Sequence, residues 1–405
     1  MLSRFVPHAI LAAVAALCVV VSAAVAAATP LPSGDDYNSA GFIVRHAWQK
    51  FAYQATDIFR DDLSRAGEDA RLARFFELNR LIRDGERVAG DPATSTSAAA
   101  ATHAQLETWR DERAGIENSV EVILEGRLTA TVEDLGLTRR FGGEIVWPPV
   151  NIEFEGTPSV LVRSPRSEIR KDSQRLLQGD LPVERVQEIE AAAERDGATS
   201  ALVVRIGGIA MYPAIIPPSE DYRFVLQDIA HEWLHHYLYF APLGRRYYES
   251  GELTTLNETV ANIAGNEIGE LMYERYPLPE TQASANAQPA PPVAQAPAST
   301  FDFTSEMRAL RRDVEALLAS GDVVGAERLM EETRLYLAES GRYIRKLNQA
   351  YFAFHGLYAD GAASIDPIGP KLESLRQRSG SVGAFVRAAQ ELRSAGELDE
   401  MLHGP

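Results

Sequence analysis

From Asn38 to about Arg87 the apolar side chains fall three and four residues apart (Phe42, Val44, Trp48, Phe51, Ile58, Leu63, Leu72, Phe75, Phe76, Leu78), with charged residues between them. That period predicts amphipathic helices. Residues 91–104, DPATSTSAAAATHA, interrupt the pattern and read as a low-complexity hinge. The helical period then resumes from about Gln105 to Leu135. Between 141 and 216 it gives way to short β-branched runs, EIVWPPVNIEFEG, PSVLVRS and SALVVRIGGIAMYPAII, which predict strands, with a helix over Val183 to Arg195 between the last two. The prolines in the first and last runs point to edge strands or bulges, because proline cannot donate to a ladder.

After Pro217-Pro218, Ser219 with Glu220 and Asp221 reads as a helix N-cap followed by acidic residues in the first turn. This helix is expected to run to about Tyr239, ahead of Pro242. A second, from about Leu253 to Arg275, is stopped by Pro277 and Pro279. Residues 279–300, PETQASANAQPAPPVAQAPAST, hold five prolines and no aromatic side chain, so they lack the apolar surface to fold and read as a disordered linker. From Phe301 the pattern predicts a helical hairpin turning at Gly321-Asp322, a second arm reaching about His355, and short helices near 371–379 and 383–393. The fold class expected is predominantly helical α+β, with a small edge-stranded sheet next to two helices. The regions expected are 1–28, 29–140, 141–278, the linker, and 301–405.

Composition changes this picture at the N-terminus. Ala9 to Ala28 is uncharged and mostly apolar, follows Arg4 and ends in Ala26-Ala27-Ala28, so residues 1–28 read as an export signal or a membrane anchor. In either case the body from residue 30 onward is expected to be exported, periplasmic or secreted. Cys18, the only cysteine, lies inside that run, so the body has no disulfide and no thiolate ligand. A net charge of −17 argues against DNA or RNA partners.

The candidate chemistry is in HEWLHH, residues 231–236. On a helix, His231 and His235 project one turn apart from one face and can share a metal ion, while Glu232 can reach a water on that ion. An ion held by two histidines needs a third ligand and an open position. LNETVANIAGNE on the following helix supplies Glu258, 23 residues after His235. His236 points elsewhere and reads as a packed or exposed histidine.

The pattern His231, Glu232, His235 with Asn257, Glu258 and Asn262 resembles the gluzincin metallopeptidases, typified by thermolysin, over about a quarter of the chain. The resemblance implies one Zn²⁺ held by His231, His235 and Glu258, with Glu232 as general base. Those peptidases commonly carry an aspartate where this chain has Asn262, whose amide oxygen could still accept from an imidazole N–H in the same supporting role. They also use a tyrosine between the zinc helices and a later histidine to steady the oxyanion. The counterparts here are Tyr247 or Tyr248 in GRRYYESGE and His355 in AYFAFHGLYADG.

Upstream of the motif, GGIAMYP (Gly208, Ala210, Met211, Tyr212) lies where gluzincins place the edge strand that pairs with an extended peptide. An ordinary glycine-containing edge strand is the alternative there. The stretch also faintly resembles the G-x-M-E-N element of one aminopeptidase family, but Tyr212 replaces the amine-binding glutamate, which argues against that activity. YIRKLNQAYFAFHGLYADGAASIDPIGP is similar to segments of uncharacterised exported or membrane-anchored bacterial proteins that carry H-E-x-x-H. No G-x-S-x-G elbow, P-loop or G-x-G-x-x-G fingerprint occurs.

The expected function is therefore an extracytoplasmic zinc metallopeptidase acting on peptide or protein substrates. The alternative is a non-catalytic exported helical interaction protein with a structural or relic zinc site. Glu232 argues against the alternative, since a structural site has no use for a base.

Overall fold

A computed structural model describes residues 34–46, 63–92, 94–140, 143–279 and 302–403. The expected export or anchor segment, the apolar positions Trp48, Phe51 and Ile58, and the linker beyond Pro279 lie outside the described residues. The chain is mainly helical with a few small sheets. No helix among the described residues is long and apolar enough to cross a membrane.

Two long helices, α1 (Arg65–Ala89) and α2 (Thr96–Asp134), pair through Leu72, Phe75, Phe76, Leu106 and Leu124. The expected hinge at 91–104 is confined to a few residues: Ser95 caps Ala98 N–H, and the alanine run forms the first turns of α2. Alanine has the highest intrinsic helix propensity, so low complexity here extends a helix instead of ending it.

Three small sheets follow: β1 (Arg139–Arg140) with β2 (Glu144–Ile145); β3 (Ile152–Phe154) parallel to β7 (Ala214–Ile216); and the order β5-β4-β6, made of β4 (Ser159–Pro165), β5 (Ser173–Leu177) and β6 (Thr199–Arg205). The prolines split two predicted runs, Pro148-Pro149 parting β2 from β3 and the 207–213 segment parting β6 from β7. β5 went unpredicted because SQRLL is mostly exposed and polar. Helix α3 (Val183–Ala193) covers the β6 edge.

Two strand edges are closed by glutamate pairs one helical turn apart. Ile152 and Phe154 donate their N–H groups to Glu125 (2.9 Å) and Glu121 (2.8 Å) on α2. Val203 and Ala201 donate theirs to Glu190 (2.7 Å) on α3 and to Glu194 (2.9 Å) just beyond it. Successive N–H groups on one side of a strand repeat at a spacing that an i, i+4 carboxylate pair can match, so a helix side substitutes for a neighbouring strand.

Helix α4 (Tyr222–Tyr239) carries the histidine motif. Its N-cap is Asp221, whose carboxylate accepts from Phe224 N–H at 3.1 Å; Ser219, the expected cap, instead accepts from Asp221 N–H in the preceding turn. After a short helix α5 (Pro242–Arg245), α6 (Gly251–Arg275) is capped by Ser250 and packs along α4. The contact is close because Gly265 and Gly269 face it: a Cβ on Gly265 would lie 2.9 Å from His231 Cα, and one on Gly269 2.6 Å from Gln227 Cα. Trp233 fixes the opposite side of α4, buried and donating to Pro148 O at 3.0 Å. Fully burying each such large apolar side chain contributes roughly 1.5–3 kcal/mol.

The hairpin of α7 (Phe303–Ala319) and α8 (Val323–Glu339) turns at Gly321-Asp322 as expected. Its second arm ends at Glu339 instead of reaching His355, since Gly341 takes a positive φ of 80° that breaks the helix. The aromatic-rich stretch forms a separate short helix α9 (Gln349–His355), followed by α10 (Ile368–Arg378), α11 (Val382–Ala389) and α12 (Ala395–His403). One core runs from Leu72 on α1 through α2, α4 and α6 to Leu402 on α12, so packing is continuous across residues 140 and 301.

Candidate metal centre

Because Gly265 and Gly269 let α6 press against α4, side chains one turn apart on α4 meet Glu258 of α6. His231 Nε2 and His235 Nε2 lie 3.0 Å apart, and Glu258 Oε2 is 3.7 and 3.6 Å from them. Ligand atoms bound tetrahedrally at about 2.0–2.1 Å sit roughly 3.3–3.4 Å from one another, a spacing that these three distances bracket. The two imidazole–carboxylate separations are too long for good hydrogen bonds. Among the described residues this is the one group of three or more His, Cys, Asp or Glu side chains placed to share an ion.

The supporting bonds point the ligands inward. His235 Nδ1 is 2.8 Å from Asn257 Oδ1; with the proton on Nδ1, the Nε2 lone pair faces the shared point. The residue supporting an imidazole is thus Asn257. Asn262, expected in that role, lies one turn further along α6 and donates to Asp360 Oδ2 instead. Tyr247 donates to Glu258 Oε1, leaving Oε2 toward the histidines. Tyr248 stands at the rim, 86% exposed, with its ring against Tyr247.

Without an ion the charges arrange themselves. Burial opposes ionisation of Glu258, but the two histidines outweigh it and hold its carboxyl well below the usual range. Burial likewise opposes a charge on His235, yet Glu258 raises it to about 9, while burial keeps His231 below its ordinary value. Glu232, on the same face of α4, is pushed well above the carboxylate range by burial, with Asp228 and Glu258 adding to the effect. Asp228, one turn earlier, is raised to about 7 by burial, and its Oδ2 has no hydrogen-bond partner.

These groups line a cleft of about 1130 Å³. Compared with protein-family models, with curated proteins and with solved structures, the chain gives no match. The reading of the site therefore rests on its own residues.

One wall of the cleft is the 207–212 segment. A Cβ on Gly208 would lie 2.5 Å from Glu232 Oε1, so the glycine lets backbone approach that carboxyl. The segment is a hook, not the extended edge strand expected: Ile209 exchanges two 3.1 Å bonds with Ile215, and Met211 N–H folds back onto Ile209 O at 2.7 Å. The glycines at 207–208 and Pro213 confine it to a single bridge. Ala210, Met211 and Tyr212 line the cleft, and the Tyr212 ring meets His236, 5.5 Å between centroids. His236 is drawn down to about 4 by burial and so stays neutral there.

The opposite wall is the end of α9 and the loop after it. His355 lines the cleft, stacked 4.3 Å from Tyr351, and burial lowers it to about 4. Tyr358, not singled out as a catalytic candidate from sequence, sits nearer the centre. Its hydroxyl is raised well above the usual phenol range, chiefly by Glu258, with burial and Glu232 adding, and its ring lies 6.3 Å from His231. Ala359 N–H donates to Thr259 Oγ1 (3.0 Å), and Asn262 holds Asp360, so α6 fixes the chain just after Tyr358. The aromatic residues of AYFAFHGLY gave the only sequence hint of this.

A second hollow, of about 1320 Å³, lies beside β5 and α3. Three of its four arginines are engaged: Arg185 by Asp35 and Glu188, Arg175 by Asp36 and Arg163 by Asp196.

Proposed function

We propose that the protein is a zinc-dependent metallopeptidase, exported from the cytoplasm, that hydrolyses peptide bonds in the cleft between the 207–212 hook and the Tyr358 loop. The observation that carries this reading is the convergence of His231 Nε2, His235 Nε2 and Glu258 Oε2 on one point at near-tetrahedral spacing, with Glu232 beside them. Two imidazoles and a carboxylate make a donor set suited to Zn²⁺, and all three residues line the cleft. When bound, zinc supplies Lewis acidity, making a water acidic near neutral pH and polarising a carbonyl.

The protein groups divide the remaining work. Glu232 takes the proton of the attacking water and passes it to the leaving amine. Its high proton affinity without an ion suits it to hold that proton between the two transfers, and a positive ion nearby eases its release. Tyr358 donates to the oxygen that gains charge on the scissile carbonyl. Its hydroxyl, like that of Tyr247, interacts with Glu258, and it also lies in the field of Glu232, while burial keeps His355 neutral. Trp147, Phe224, Phe240 and Phe354 give the cleft apolar walls suited to the side chains of an extended peptide.

Metal analysis with peptide-library cleavage read by mass spectrometry tests the proposal. Stoichiometric zinc with cleavage is expected; protein that retains no zinc at neutral pH overturns it.

A further inference from the structure

The chain has four lysines, of which Lys171, Lys346 and Lys371 are among the described residues. Lys346 pairs with Glu194 at 2.8 Å and Lys371 with Asp399 at 2.7 Å. Lys171 makes no ion pair among the described residues; its ammonium donates to the neutral amide of Gln174 at 3.2 Å. The nearby carboxylates do not serve it, because Arg170 takes both Glu168 and Asp172 at 3.1 Å. Lys171 lines the same cleft as His231, Glu232 and His235, from the side of β5.

Partial burial lowers its proton affinity, and the charge that offsets this is Glu258, the candidate metal ligand. Lys171 therefore lies within the electrostatic reach of the reacting centre. A cation partly withdrawn from water with no carboxylate bonded to it gains from an incoming anion. A peptide across the metal cluster has one class of group that meets this need, a carboxylate.

We propose that Lys171 is a substrate-recognition residue that binds a carboxylate of the peptide held in the cleft, supplied by its free C terminus or by an acidic side chain. The inference rests on the peptidase reading and narrows it to peptides carrying a negative charge near the cleaved bond. A charge-assisted bond of this kind gives a preference of about 10- to 100-fold over the uncharged isostere.

The test compares zinc-loaded wild type with Lys171→Met, Lys171→Arg and Lys171→Glu on matched peptides differing only in C-terminal acid against amide, or in Glu against Gln. Wild type is expected to favour the carboxylate peptides in kcat/KM, Lys171→Met to lose that preference, Lys171→Arg to restore it, and Lys171→Glu to favour a basic residue in its place. The arm that shows the preference identifies the source, terminus or side chain. If wild type cleaves charged and neutral partners alike, or Lys171→Met keeps the preference, the Lys171 inference fails while the peptidase reading stands. If nothing is cleaved, the peptidase reading fails; fluorescence anisotropy of the same peptides then decides for Lys171, with equal affinities for wild type and Lys171→Met overturning it.

Discussion

Glu190 and Glu258 are both buried glutamates on helices, 3% and 7% exposed, and their surroundings differ in kind. Glu190 is closed: its carboxylate accepts from Val203 N–H and from Arg345, and Lys346 stands 3.5 Å away. Asn348 and Arg345 in turn take the carbonyls of Ala201 and Val203, so the β6 edge is satisfied on both its donor and acceptor sides. Glu258 is open: one oxygen is held by Tyr247, and the other faces two imidazole nitrogens at distances too long for good bonds and suited to an ion. A charge cluster that serves the fold finishes its own bonds, and one that serves chemistry leaves a vertex for something else.

Exchanging the two residues' fates breaks the comparison most sharply. Glu258→Ala is expected to abolish zinc retention and cleavage with little loss of fold. Glu190→Ala is expected to leave zinc stoichiometry intact while removing about 3 kcal/mol of stability, at the lower end for a broken buried pair because Arg345 is part-exposed and can regain water. Denaturant titration and metal analysis of both variants check this; zinc loss from Glu190→Ala would erase the distinction.

Tyr358→Phe removes the proposed oxyanion donor and is expected to lower kcat by about 100- to 1,000-fold with zinc retained. Tyr248→Phe, at the exposed rim, should change kcat little, and steady-state kinetics separate the two. Next in size, Asn257→Leu leaves His235 Nδ1 without its acceptor and should weaken zinc binding about 10- to 100-fold, measured by chelator competition; Asn262→Leu should act on kcat through the Tyr358 loop instead.

The smallest step is in pH. His235, raised to about 9 by Glu258 when no ion is present, holds a proton that zinc must displace, so affinity should fall about tenfold for each unit of pH lowered below about 9. The metal-free fold responds in the opposite sense. The stability His235 contributes is complete below its ordinary value of 6.5 and is lost as pH rises through about 9. Zinc affinity that does not change between pH 6 and 8 would contradict the open cluster.

Periodicity located α4 and α6 to within a few residues, because a helix face repeats locally and prolines end it. Ligand spacing named His231, His235 and Glu258, since one turn of helix fixes the first two and the second helix had to return beside them. Other features depend on distant pairing and leave no local trace. Tyr358 reaches the cleft only because Thr259 and Asn262 hold its loop, some hundred residues away in sequence. Nothing in the sequence sets Asp228 apart from other polar residues of the helix; the approach of Gly207 to its carboxyl shows only in the fold. Glu190 and Glu194 carry no local mark that sets them apart from the other polar residues around them, yet they seal a strand edge. The cap at Asp221 in place of Ser219 shows the narrower limit, that adjacent capping residues compete and tertiary packing chooses between them.

The central claim is that Glu232 acts on a water beside the ion and takes no part in holding the ion. Glu232→Gln keeps the size of the side chain and removes its basicity, so the most direct measurement is zinc content and peptide cleavage of this variant beside wild type. Full zinc occupancy with cleavage reduced to background is the predicted result. Cleavage by Glu232→Gln at the wild-type rate would contradict the account.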